Sequence, residues 1–193
     1  MKAEVRDSFR RQAVACRRMG SPFTARLCRV VASAGIDPAT ATGRRIADWP
    51  GDPVADALPL RLCGGLHALA RSGRAPWLAA VYPPRAAPEA ELAAAVARAV
   101  AEEDAALDRW LSGPPQTNEI GRSGVLLGGL QIVAADTGAA LELLEIGSSA
   151  GLNLLVDQWA YDLGRGLRWG AANAPLTVPC AWRGRAPRLG RLS

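Results

Sequence analysis

The residues best suited to chemistry lie in one stretch, Leu141 to Leu155, which reads LELLEIGSSAGLNLL. An apolar run ending in one acid, Glu145, meets a turn of small residues, Gly147-Ser148-Ser149-Ala150-Gly151. A second apolar run follows from Leu152 to Trp159 at helical spacing. Read as strand, tight turn and helix, this pattern places a ligand at the carboxyl end of a strand, against the free N–H groups that open a helix. The small residues let the backbone approach that ligand closely. A second reading uses the same geometry. GSSAG fits G-x-S-x-G, the nucleophile elbow of hydrolases, with Ser149 as nucleophile. That chemistry needs a base, and the only histidine, His67, lies 82 residues upstream. In the third reading the small residues only allow a strand to turn tightly into a packed helix.

Upstream, Gln116-Thr117-Asn118-Glu119-Ile120-Gly121-Arg122-Ser123 puts an amide, a carboxylate and a guanidinium within five residues. Asn118, Glu119 and Arg122 can hold a polar ligand. They can equally be a helix N-terminal cap with an internal Glu119–Arg122 ion pair. His67 alone reads as a packed core or buried polar residue.

Composition narrows the classes. The 193 residues, about half of them hydrophobic, are enough for a globular core. Cys16, Cys28, Cys63 and Cys180 contain no CxxC pair, so they read as free thiols in a reducing cytoplasm rather than a zinc site. No secretion signal stands at the N-terminus, and no run of about 18 apolar residues implies a membrane helix. The net charge of +5 is uneven: residues 163–193 carry six arginines and no acid. Since 22 of the 23 basic residues are arginine and no Tyr, Phe or Lys is interleaved with the six of that tail, the pattern argues against a nucleic-acid partner.

The elements that must position these groups are mostly helical. An amphipathic helix over 2–19 presents Val5, Phe9, Gln12/Ala13 and Cys16 on one face. Ser21-Pro22 opens a second helix that Gly35 closes, and a short third runs from Asp37 to Asp48. A fourth spans Asp56 to Ser72, where Gly64-Gly65 permits close approach of a neighbouring backbone. Pro76 to Tyr82 is a short helix. Pro88 to Leu111 is the longest, with Glu102, Glu103, Asp104 and Asp108 as a solvated face. After the break at Ser112-Gly113-Pro114-Pro115 an apolar helix runs from Gly124 to Asp136. Leu167-Arg168-Trp169 and Leu176-Thr177-Val178 read as a short hairpin, and residues 163–193 as an otherwise irregular basic tail.

Three segments together carry a family resemblance. LRLCGGLHALARSGRAPWLAAVYP at 60–83, QTNEIGRS at 116–123 and LLEIGSSAGLNLLVDQWAYDLG at 143–164 resemble the bacterial domain-of-unknown-function family 2332. In its loop at 143–152 the family is similar to class I methyltransferases, which implies a Rossmann-like second half and S-adenosylmethionine as cofactor. The resemblance marks Glu145, Gly147, Ser149, Gly151 and Asn153 as cofactor-side residues, and Asn118, Glu119 and Arg122 as substrate-side residues. Ser149 stands where that loop usually has glycine, and no acid follows Asp162 to meet a ribose. Members associated with the family are longer, so the chain is expected to be truncated.

The fold expected is mainly α: a helical N-terminal domain over 1–112, then the start of an incomplete Rossmann-like α/β domain whose first helix, strand and helix occupy 116–162. The function expected is that of a fragment of an S-adenosylmethionine-dependent, methyltransferase-like protein acting on an unknown small-molecule acceptor, and inactivity is the expectation for the truncated chain. The alternative is a non-catalytic interaction protein, and the oligomeric state stays open.

Overall fold

The computed structural model describes residues 1–116, 118–185 and 188–192. The fold is mainly α, with a small sheet near its C-terminal end. It forms two compact units, Met1–Pro115 and Gln116–Ser193.

The first unit holds α1 (Ala3–Arg18), α2 (Pro22–Ala34), α3 (Ala41–Ala47), α4 (Leu58–Arg71), α5 (Pro76–Ala79), α6 (Glu89–Glu102) and α7 (Asp104–Ser112). Apolar residues recur every three or four positions, so each longer helix buries one stripe. On α1 that stripe is Val5, Phe9, Ala13 and Cys16. On α4 it is Leu58, Leu62, Leu66 and Leu69. Burying each such leucine is worth about 1.5–3 kcal/mol, and these side chains join one core shared by all the longer helices of the unit. His67 falls outside the stripe. It is exposed, its ring 5.9 Å from that of Tyr82, and so is neither core nor buried polar residue. Gly65 does serve close packing, but against side chains: a Cβ there would lie 2.9 Å from Trp110 Cβ and 3.1 Å from Leu107 Cδ2 of α7. Cys28 and Cys63 face each other with sulfurs 3.7 Å apart in the same core. The hydrogen bond to Cys28 and burial hold the Cys63 thiol well above its ordinary value of 9.0, so it stays protonated and inert.

The single helix expected over 88–111 is two. The chain leaves helical geometry at Glu103 (φ −119°, ψ 25°) and restarts as α7. The break aims the Asp104 carboxylate at the start of α3, where it accepts from Ala41 N (2.7 Å) and Thr42 N (2.8 Å). The Thr40 hydroxyl takes the next amide, Gly43 N, at 2.9 Å. Three orphan donors of a seven-residue helix are thereby satisfied. The acidic set is therefore not a merely solvated face. Asp108 pairs with Arg45 at 3.2 Å, Glu102 with Arg98 at 2.8 Å, and Glu103 with Arg74.

The second unit holds α8 (Arg122–Thr137), a 3-10 helix (Leu152–Gln158), β1 (Ala160–Asp162), β2 (Arg168–Trp169) and β3 (Thr177–Pro179). The strands lie in the order β2-β1-β3, so the expected hairpin does not form: β2 and β3 each pair with β1 instead. Tyr161 sits opposite Trp169 in the antiparallel pair and opposite Val178 in the parallel one. Leu127, Val156, Tyr161, Leu163 and Val178 make the core, and Trp182, Leu189 and Leu192 pack against it. The basic tail is thus anchored. The Gln131 amide brackets Gly190, donating to its oxygen (3.2 Å) and accepting from its nitrogen (2.6 Å), while Trp169 Nε1 donates to the same oxygen at 2.7 Å.

Two further expectations fail here. Residues 141–146 form no strand. An extended segment becomes a strand only when a neighbour takes its backbone groups, and residues 141–146 pair with none of the three strands. Within the apolar run 152–159, Leu152–Gln158 forms a 3-10 helix with a break at Leu155 (φ −92°, ψ 29°) rather than an α-helix. Of the helix, strand and helix expected over 116–162, only the first is regular α structure.

Two outcomes follow. Asp104→Asn removes the charge at the start of α3 and lowers stability by about 1 kcal/mol. Desolvation opposes ionisation of Asp104, but the Thr42 and Ala41 hydrogen bonds and the Arg44 charge outweigh it and lower its pKa from 3.8. Its contribution is therefore full above 3.8 and is lost as pH falls through the lower folded value. Urea melts of both proteins across that range should converge at the acid end. Gly65→Val forces a branched side chain against Trp110 and Leu107. It should cost about 1–3 kcal/mol, read as a lower midpoint in thermal denaturation.

Candidate ligand site at the small-residue turn

The turn at 147–151 forms although no strand leads into it. Gly147 (φ 74°), Ser149 (φ 53°) and Gly151 (φ 68°) all adopt left-handed backbone. That conformation costs an L-residue about 1–2 kcal/mol but is free to glycine. Alternate left-handed residues reverse the chain within five positions, and Gly151 N closes the turn on the Ser148 carbonyl at 2.8 Å. Gly147, Ser149 and Ala150 are exposed on its outer side.

A clasp from the 116–123 segment holds the turn. Asn118 Nδ2 donates to the Ser148 carbonyl at 2.6 Å and to Glu145 Oε1 at 3.3 Å. Arg122, the first residue of α8, donates to Asn118 Oδ1. From the far side of the turn Asn153 Nδ2 donates to the same Glu145 oxygen at 3.4 Å. The structure thus brings Asn118, Arg122, Glu145 and Asn153 into one network around Ser148, although 35 positions separate the first from the last. Glu119 is not part of it. Its carboxylate accepts from Gly121 N at 2.7 Å, a local turn before α8, and among the described residues it makes no ion pair with Arg122. Thr117 of the same motif lies outside the described residues.

The network leaves two acceptors over. Glu145 Oε2 and Asn153 Oδ1 are buried and, among the described residues, have no hydrogen-bond partner. Asn153 itself is only 3% exposed. A carboxylate can only accept, so the Asn153 amide nitrogen must face Glu145, which leaves its oxygen free. Both residues line a cavity of about 220 Å³ whose other walls are Leu126, Leu130, Leu143, Leu144 and Leu154. A buried acceptor without a donor costs about 1–3 kcal/mol. A ligand that donates would recover that cost.

Residues missed by motif reading are the α8 leucines, Leu126 and Leu130, and the Ser148 carbonyl. The first had a visible signal. Residues 124–133 read GVLLGGLQIV, with no polar face, and such a helix needs apolar partners all round. Here Val125 (70% exposed) and Ile132 (54%) stay uncovered. The carbonyl had no signal, because any residue carries one.

Ser149 is the turn residue expected of a nucleophile elbow and has the strained backbone of one. Its own unit contains no histidine, however. Among the described residues no group of three His, Cys, Asp or Glu side chains could hold a metal ion. None of the described helices is long and apolar enough to cross a membrane.

With this geometry established, comparison with known proteins places the chain. A family described as an uncharacterized protein conserved in bacteria (DUF2332) matches residues 6–192. The chain belongs to that family, and the match takes in both units and the whole clasp. No curated protein and no solved structure matches it.

Asn118→Ala would strip the Ser148 carbonyl and Glu145 of their donor and Arg122 of its acceptor. The expected cost is about 1–3 kcal/mol. Hydrogen exchange should show amides 148–151 losing protection, while the helices of the first unit keep theirs.

Proposed function

We propose that the clasped turn is the cofactor element of an S-adenosylmethionine-dependent, methyltransferase-like protein acting on a small acceptor. The observation that carries this reading is the Asn118 side chain bonded to the Ser148 carbonyl at 2.6 Å, which makes the 116–123 motif and the 143–152 loop one site. Support also comes from the open outer face of the turn. Nothing lies within 4 Å of a Cβ built on Gly147, so a planar ligand has room against the backbone there. Arg122 supplies a cation for the methionine carboxylate.

In this reading the 147–151 backbone lies under the cofactor, and Glu145 orients the loop through its two asparagine partners. When bound, the cofactor supplies an electrophilic methyl group on sulfonium. The protein's part is to hold that group still and keep water from it.

Titration calorimetry with S-adenosylmethionine and its demethylated product should give saturable binding to the whole chain. Gly147→Val should weaken that binding by about tenfold or more, with only about 1–2 kcal/mol of lost stability from the left-handed strain. Absence of heat at millimolar ligand, with the protein folded by circular dichroism, would overturn the cofactor reading.

A second reading, a non-catalytic interaction protein, is favoured by Leu144 (92% exposed) and Ile146 (98%), two apolar side chains in solvent on an unpaired segment. Under it, Ile146→Asp should abolish self-association or partner capture, measured by sedimentation velocity, and leave cofactor binding absent in both proteins.

A further inference from the structure

We infer that the leucine-walled cavity beside Glu145 and Asn153 is a binding site for a small aliphatic ammonium, a primary alkylamine in its protonated form. Four observations combine. The first is the pair of buried acceptors, Glu145 Oε2 and Asn153 Oδ1, which no donor among the described residues reaches. An uncharged apolar ligand would leave them unsatisfied. An anionic ligand would add a like charge beside Glu145.

The second is the wall. Apart from Glu145 and Asn153 it is lined by five leucines, and since Leu144 is itself turned to solvent, Leu126, Leu130, Leu143 and Leu154 are the ones that bind an alkyl chain and offer a polar head nothing else. The third is the charge of the surroundings. Neither this cavity nor the neighbouring one of about 310 Å³, which shares Leu130, Leu143 and Leu154, has a basic residue in its lining. The neighbour adds two more carboxylates, Glu142 and Asp157. The nearest guanidinium in the network, that of Arg122, is engaged by Asn118 Oδ1. The local field therefore favours a cation, and a charge-assisted hydrogen bond to a partly desolvated carboxylate is roughly twice as strong as a neutral one.

The fourth is size. About 220 Å³ is below the roughly 300–1,000 Å³ of pockets that take drug-sized ligands. A short alkylammonium such as hexylammonium, with six carbons and one nitrogen, suits a site of that scale. Both oxygens lie just beneath the lining, so the Glu145 and Asn153 side chains turn outward to take one N–H each, and the chain lies along Leu126, Leu130 and Leu154. This site does not depend on the cofactor reading, since it uses the inner side of Glu145 and not the outer face of the turn.

The test compares isosteric probes on the whole chain without any cofactor: 1-hexylamine, 1-hexanol and hexanoate at neutral pH, followed by calorimetry and ligand-observed NMR. Hexylamine should bind about tenfold or more tighter than hexanol, and hexanoate should not bind. Glu145→Gln should reduce the amine's advantage to within about threefold, and Leu130→Trp should abolish binding of both by filling the cavity. Equal binding of amine and alcohol, or no amine binding at millimolar concentration to folded protein, would overturn the assignment. The wild-type probe series decides this even if a variant fails to fold. Amine binding without S-adenosylmethionine binding would sink the cofactor reading alone, and the reverse result would sink this one alone.

Discussion

One carboxylate oxygen organises the second unit. Glu145 Oε1 accepts from Asn118 on one side and Asn153 on the other, and the turn at 147–151 hangs between the three residues. The segment that carries Glu145 has no sheet to hold it. In an α/β fold the ladder hydrogen bonds of a strand position such a turn before any ligand arrives. Here the side chains of Asn118 and Asn153 take over that positioning. Both bonds, at 3.3 and 3.4 Å, are longer than the usual N–H···O range, so the turn is held by a loosely shared acceptor rather than by a rigid frame.

That substitution has an energetic consequence. A strand built into a sheet has its polar groups paired along its length, but a clasp made of side chains satisfies only the atoms it touches. Glu145 keeps one oxygen without a donor, and Asn153 keeps its carbonyl. Both lie against leucine, where an unmet acceptor is most costly. The same exchange leaves Leu144 and Ile146 facing solvent. Polar groups without donors and apolar groups without cover thus occur on adjacent residues of one segment, for the same reason: the backbone of 141–146 has no strand neighbour.

The first unit solves the equivalent problem differently. A short helix, α3, is too brief to stabilise itself, and Asp104 is placed to accept from its first amides by the break between α6 and α7. The carboxylate has donors for both oxygens, and its partly desolvated charge is stabilised, as its lowered pKa records. Asp104 and Glu145 thus show the same device, a carboxylate bridging distant backbone and side-chain donors, in one case complete and in the other left open.

Much of the helical part was legible in the sequence because its determinants are local. The Val5–Phe9–Ala13–Cys16 stripe, Ser21-Pro22 and Gly35 state a face, a start and a stop within one element. Small residues at 147 and 151 likewise declare a tight turn whatever precedes it, because left-handed backbone is cheap only for glycine. The sequence alone could not show which partners those elements would find. Whether 141–146 becomes a strand depends on a neighbouring edge, and residues 168–169 and 177–179 went to β1 rather than to each other. The break at Glu103 depends on what Asp104 meets 62 and 63 residues away, at Thr42 and Ala41. At the site, residue types marked Asn118, Arg122, Glu145 and Asn153 as capable of polar chemistry. Only the tertiary structure joined them, turned Glu119 aside into a local turn, and set two unmet acceptors against a leucine wall. Hydrogen-bond satisfaction is a property of the packed molecule, and the sequence lists only donors and acceptors.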